Sequence, residues 1–272
     1  MEPHTAIMKK VAISVAPVPA GLSYLDSKAV ATDIIACAKA GASELHLHPR
    51  NEKGKLTADL TVFEEIVTRV KGETDMVVQM SLGAASVLTI EEKCKALDKD
   101  YVELTSLNMT SMNFGHQVRV IHPEEVDYLV ERIMATHTLP EIETFDLGDF
   151  YTFDRIRREY KLPFKPVFNI GLGHGDRLPA TPKALMAFLN FMPEDALWYY
   201  TEIGRRDFSM VATAVSLGAH GVRVGMEDSP YLLEDRLAKS NAEVIEYTVR
   251  AMEAVGALPA SVDEVRKMMG LR

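Results

Sequence analysis

Cysteine is scarce. Cys37 and Cys94 are the only two in 272 residues, and no CxxC spacing joins them. That excludes a disulfide framework and suits buried, reduced thiols in a cytosolic protein. Long hydrophobic runs are absent too: no apolar stretch approaches a membrane span. The start, MEPHTAIMKKVAISV, lacks a basic segment before a long apolar run and lacks a small-residue cleavage site, so no signal peptide and no membrane partner are expected. Positive charge is in deficit. A net charge of -9 argues against nucleic-acid or anionic-membrane surfaces, while leaving room for an anionic small molecule held by local arginines. No Pro/Gly/Ser-rich linker divides the chain, so one domain over 1–272 is expected.

What is present is alternation. Short β-rich runs at 11–18, 43–50, 75–82, 101–109, 139–147, 164–173, 196–204 and 220–227 are separated by helical patterns. The helices are expected at about 27–40, 59–71, 89–97, 123–137, 149–160, from 182, 208–217 and 240–255, with a short last one at 262–269. Eight β/α units in this length predict an α/β fold, a (β/α)8 TIM barrel. An open doubly wound sheet is the alternative, but it wants a GxGxxG turn after the first strand, and APVPAG is a poor match.

In a barrel the active site lies at the C-terminal ends of the strands. Polar residues should gather there at period two, and they do: His46, His48 and Arg50; Gln79 and Ser81; Ser106 and Asn108; Glu141 and Glu143; Arg223, Gly225 and Glu227, with Asp228 just beyond. Barrel interiors are otherwise filled by branched apolar residues, so this concentration is costly unless used.

The pair in ELHLHPR places two imidazoles on one strand face, able to close on one ion. Two core histidines bonded to carbonyls would look the same. Glu227 fits best as a third ligand, with Asp228 and Glu143 as rivals by type; a salt bridge to Arg50 or Arg223 is its structural alternative. Two histidines and a carboxylate leave a tetrahedral zinc with an open position, which polarises a carbonyl or activates water. Arg223 can grip a carboxylate in a bidentate pair, of substrate or of Asp228. Glu143 is a candidate general base, and either Glu141 or Glu143 could instead be a partner to a metal histidine. Ser81, Ser106 and Asn108 could bond an oxyanion. No GxSxG elbow supports a serine nucleophile. His174 and Asp176, in GLGHGDR, are expected on a solvated loop.

HLHPR, QMSLGA, ELTSLNMTSMNFG, PEIETFDLG and VRVGMEDSPYL, in this order and at these strand ends, together with the tail SNAEVIEYTVRAMEAVGALPASVDEVRKMMG, resemble the β-keto acid cleavage enzymes over essentially the whole chain. The resemblance implies a zinc-dependent TIM barrel, usually a homotetramer, that converts a β-keto acid and acetyl-CoA to acetoacetate and a new acyl-CoA. It places the metal on His46, His48 and Glu227, proton removal on Arg223 and Asp228, and polar helpers on Ser81, Ser106 and Glu143. The substrate carboxylate loop falls on Gly83 and Ala84, with Asn108 nearby. QMSLGA departs from the family's usual QxSTGG. Glu202 stands where a smaller residue is common, as a candidate selectivity residue. The APVPAGL region has no acid to read an amino group, so a 3-keto-5-aminohexanoate substrate is not expected. Arg177, Arg205 and Arg206 are candidate contacts for CoA phosphates. A metal-dependent hydrolase or aldolase on the same barrel, without CoA, and a non-catalytic binding barrel are the competing readings.

Overall fold

The computed structural model describes residues 8–83, 88–114, 117–175 and 177–271. Residue 84 lies outside them, and so does Asp176. The strands are Lys9–Val15 (β1), Glu44–Leu47 (β2), Val77–Met80 (β3), Leu104–Leu107 (β4), Leu139–Thr144 (β5), Val167–Leu172 (β6), Leu197–Glu202 (β7) and Gly221–Val224 (β8). All their pairings are parallel, and β8 pairs back onto β1, so the sheet closes. Helices Ser27–Ala40 (α1), Thr61–Glu73 (α2), Ile90–Lys93 (α3), Pro123–Thr136 (α4), Gly148–Tyr160 (α5), Pro182–Leu189 (α6), Ser209–Ser216 (α7) and Asn241–Glu253 (α8) form the outer ring, and Val262–Met269 (α9) follows. This is a (β/α)8 barrel.

The local signals have physical grounds. Asp26 accepts bonds from the Lys28 and Ala29 amides to start α1, and Gly41 ends it in a left-handed conformation. Thr181 and Ser240 cap α6 and α8, and Ser261 with Glu264 builds a capping box for α9. Along each strand the outward side chains, such as Leu45, Leu47, Val78, Met80, Ile142, Phe168 and Ile170, join the helices in one buried cluster. The inward ones divide by height. Val77, Leu104, Leu139, Val167 and Leu197 form an apolar floor, closed from below by Val265 and Met269 of α9. Above the floor the interior turns polar.

The strands are shorter than the sequence pattern suggested. β2 ends at Leu47 and β8 at Val224, so His48, Arg50 and Glu227 stand just past the ladder. The helix expected at 89–97 is a four-residue α-turn continued as a 3-10 segment, Cys94–Asp98. Two hairpins were not anticipated, Met112–Phe114 with Gln117–Arg119 and Tyr231–Leu233 with Arg236–Leu237. A further strand, Ala257–Pro259, pairs with the lower end of β1. Among the described residues, no helix is long and apolar enough to cross a membrane.

Candidate active site

Inward parity brings the C-terminal strand ends together around one cavity of about 360 Å³. Its lining includes His48, Arg50, Ser81, Gly83, Glu143 and Arg223, with Glu227 and Asp228. Ala20, Leu56, Phe145 and Ile203 supply apolar wall, and His174 reaches it from the loop after β6. The solvated-loop expectation for His174 therefore gives way to a place in the cavity.

Glu227 is carried by a tight turn after β8. Its amide bonds the Ala16 carbonyl, and Gly225 passes so near that a Cβ there would sit 2.1 Å from the same oxygen. Only glycine admits that approach. The turn puts Glu227 Oε1 3.5 Å from His46 Nε2 and 3.3 Å from His48 Nε2. Ligands about 2.0–2.1 Å from a tetrahedral zinc lie about 3.3–3.4 Å from one another. Donor atoms of all three residues fall within 4.8 Å of each other. His46 is wholly buried, and its Nε2 has no hydrogen-bond partner among the described residues. An orphaned imidazole nitrogen facing a carboxylate and a second imidazole is the donor set of a divalent metal site. Burial works against the charge of Glu227, yet the two histidines hold its carboxyl well below the usual range. Burial also pushes the His48 imidazole down, toward the neutral form a metal requires. A second group, His46 with Glu141 and Glu143, is also close enough to hold an ion.

Beside this donor set Arg223 is the hub, with Nη2 3.4 Å from Glu227 Oε1, the ion pair the sequence offered as that residue's structural alternative. It donates to Asp228 through Nε at 3.1 Å and Nη2 at 2.6 Å, a bidentate grip, and to Glu143 Oε1 through Nη1 at 2.8 Å. Burial raises the Asp228 carboxyl above its ordinary value, with Arg223 pulling it back. Burial opposes the charge of Glu143 as well, but Arg223, His46, Asn108 and Arg119 together outweigh it and hold that carboxyl low. The two acids are thereby pushed apart in proton affinity, which separates their uses.

The other predicted residues divide. Ser81 and Gly83 face the cavity. Ser106 accepts the Leu82 amide at 2.8 Å and lies 3.4 Å from the Ser81 hydroxyl, so it shapes the loop from behind. Asn108 donates to Glu143 Oε2 at 2.9 Å. Glu202 is not brought into the cavity. Its neighbours in alternation, Tyr199 and Thr201, point inward to Glu44 and Asn169, and Glu202 itself meets Tyr200 on the helix side. Arg205 is buried, donating to the Tyr231 carbonyl and lying over the Phe208 ring, and Arg206 covers the Tyr231 ring. Arg205 is thus held by the chain itself instead of being offered to a phosphate, while Arg206 stays exposed. Arg177 lies 3.8 Å from Asp146 in a neighbouring surface cavity.

Sequence reasoning missed Arg119. From the hairpin after β4 it donates to the Gly83 and Leu82 carbonyls and to Asn108 Oδ1, clamping the loop that follows β3. The alternation Val118-Arg119-Val120 was the available signal, and both valines are exposed around a buried arginine. Sequence reasoning gave the tier beneath the cavity no role apart from Glu141 as a possible partner to a metal histidine. There Tyr199 donates to Glu44 at 2.5 Å, and Asn169 to Glu141 at 2.9 Å. Burial, reinforced by Glu141, pushes the Glu44 carboxyl up to about 8.

With this geometry in place, likeness to other proteins can be weighed. A 3-keto-5-aminohexanoate cleavage enzyme of Fusobacterium nucleatum is 33% identical over 239 residues, 86% of this chain and 85% of its own. A 3,5-dioxohexanoate:acetyl-CoA acetone transferase of Paraburkholderia graminis is 27% identical over 303 residues, 98% of this chain and 97% of its own. Among solved structures, ObcA in complex with a C4-CoA adduct and oxalate superposes with a TM-score of 0.71 at 18% identity, over 91% of this chain and 67% of that one, which speaks to the fold alone. The sequence profile of the beta-keto acid cleavage enzymes matches residues 25–271, and the chain belongs to that family.

Proposed function

We propose that this protein is a zinc-dependent acyltransferase that cleaves a β-keto acid with acetyl-CoA, giving acetoacetate and a new acyl-CoA. The observation that carries the reading is the juxtaposition, at one cavity, of the His46, His48 and Glu227 donors and the Arg223–Asp228 pair, with Arg223 Nη2 3.4 Å from Glu227 Oε1. His46, His48 and Glu227 would hold the ion. When bound, zinc supplies Lewis acidity toward the ketone oxygen of the substrate.

The remaining chemistry belongs to the chain. Asp228, buried and raised in proton affinity, takes the α-proton between ketone and carboxylate, and Arg223 aligns it. Glu143, anchored by Arg223 and Asn108, stays ionised and fixes the far side of Arg223. Ser81 and the Gly83 backbone orient the substrate carboxylate, with Ser106 and Arg119 holding the loop they sit on. The α-carbon then attacks the thioester carbonyl and coenzyme A leaves as thiolate. The thiolate adds to the original ketone, the carbon–carbon bond breaks, and acetoacetate departs with its α-carbon reprotonated. The apolar wall of Ala20, Leu56, Phe145 and Ile203 excludes water that would otherwise hydrolyse the thioester.

Our reading also carries a cytoplasmic homotetramer, with residues 1–272 working as one barrel in each subunit. The test is to incubate purified protein with acetyl-CoA and a panel of β-keto acids, with chelator and with zinc restored, and to follow acetoacetate and acyl-CoA. Both products should appear only when acetyl-CoA, a keto acid and metal are all present. Turnover without acetyl-CoA would overturn the acyl-transfer reading.

A further inference from the structure

Directly beneath the cavity the barrel interior carries a line of polar side chains whose directions can be read one from the next. Thr201 donates to Asn169 Oδ1 at 2.7 Å. With its oxygen taken, Asn169 turns its amide nitrogen to Glu141 Oε1 at 2.9 Å, so Glu141 is addressed as an acceptor. Gln79 lies between Glu141 and His46. Its Oε1 is in hydrogen-bond contact with His46 Nδ1, which leaves its amide nitrogen, buried and without a hydrogen-bond partner among the described residues, on the side of the Glu141 carboxylate whose charge it favours. Reversing the amide would aim its oxygen at that carboxylate, acceptor against acceptor. The Gln79 oxygen therefore needs a donor, and His46 must supply it from Nδ1. The Arg223 Nη1 nitrogen also lies 3.5 Å from His46 Nδ1, but it has a partner in Glu143 at 2.8 Å.

We infer that Gln79 is a positioning residue: it holds the His46 imidazole with its proton on Nδ1 and its Nε2 lone pair toward Glu227 and His48, and Glu141 sets the direction of the Gln79 amide. The inference rests on the metal reading above for its use, though the proton position stands independently. A ligating histidine whose other nitrogen donates to a fixed acceptor has one tautomer and one ring orientation before any ion arrives. It also chooses between the two overlapping groups that could hold an ion. His46 offers Nε2, the nitrogen 3.5 Å from Glu227, which favours the group with His48 over the group with Glu141 and Glu143.

Two measurements test it. Nitrogen-15 NMR of histidine-labelled apoprotein, with His46→Ala to assign the signal, should show His46 protonated at Nδ1. Zinc affinity, by competition with a chromogenic chelator, should fall roughly 10–100-fold in Gln79→Met, with the tautomers mixed. Exchanging both groups, Gln79→Glu together with Glu141→Gln, keeps an acceptor toward His46 and a donor between the two positions. That double variant should recover most of the affinity, which a merely space-filling glutamine would not predict. His46 protonated at Nε2 in the wild-type apoprotein would overturn the inference. So would a Gln79→Met protein binding zinc within about twofold of wild type, given the usual size of such effects. If Gln79→Met does not fold, the wild-type spectrum and the double variant still decide. If the wild-type protein takes up no zinc, the metal reading fails while the spectrum judges the tautomer.

Discussion

The barrel interior is two different solvents stacked on one axis. Its floor, from Val77 to Leu197 under α9, is wholly apolar except for the Tyr199 hydroxyl, which points upward to Glu44. Its upper half packs Glu44, Glu141, Glu143, Glu227 and Asp228 with His46, His48 and Arg223 into the same cylinder. The floor can lose a side chain only at the expense of packing. The upper half is already costly to fold, because burial works against each of those charges, and it persists because each group meets a counter-charge or a directed donor. Stability is concentrated at one end and chemistry at the other.

The sharpest break between the two ends should come from the mouth. Asp228→Asn removes the proposed base and keeps the shape of the Arg223 partner, and should lower kcat by roughly 10²–10⁴-fold while zinc content is unchanged. Metal analysis beside steady-state kinetics checks both halves of that statement. Glu227→Ala should instead lose activity and metal together. At the floor the pattern reverses. Leu104→Ala, at a fully buried site, should cost about 2–5 kcal/mol in denaturant unfolding, with chelator-competition zinc affinity in the folded protein unchanged. A smaller effect is expected at Gly83→Ala. The new Cβ would meet Glu143 Oε2 at 2.6 Å and Asn108 Oδ1 at 3.2 Å, so the loop or Glu143 must shift. We expect kcat/KM down about tenfold, close to 1.4 kcal/mol of transition-state binding, with melting temperature nearly constant.

The smallest effect lies outside both ends. Burial pushes the Glu202 carboxyl up to about 7, from an ordinary 4.5. The folded state therefore keeps a proton that the unfolded chain has released, and stability falls as pH rises between 4.5 and about 7. Glu202→Gln should flatten that part of the melting-temperature profile. An unchanged slope would assign the pH dependence to other groups.

How much of this the sequence disclosed follows the same division. Period two alone put His46, His48, Ser81, Glu143 and Arg223 on one inner face, because parity is a property of the strand and survives errors in its ends. Parity also speaks against Glu202, one step out of phase with the inward Thr201. What could not be read is direction beyond the strand. Ser106 and Asn108 are inward by parity, yet each serves a neighbour, one the Leu82 amide and the other Glu143. Arg119 belongs to a hairpin whose alternation spans three residues, too short to stand out against the loop around it. Arg205 and Arg206 read as a basic patch, because a sequence does not show that Arg205 turns inward to the Tyr231 carbonyl while Arg206 stays exposed.

The tight turn at Gly225 has a consequence for how the molecule is assembled. His46 and His48 belong to the second strand and Glu227 follows the last, with the first strand lying between them in the ring. His48 and Glu227 are 179 residues apart along the chain, so nearly the whole barrel must be synthesised and wound before the three donors meet. A chain halted before β8 holds the two imidazoles without the Glu227 carboxylate. Ion capture by that full set thus reports on a single event, the joining of the first and last strands, and a metal-sensitive dye added during refolding of wild type beside Glu227→Ala would time the closing of the ring.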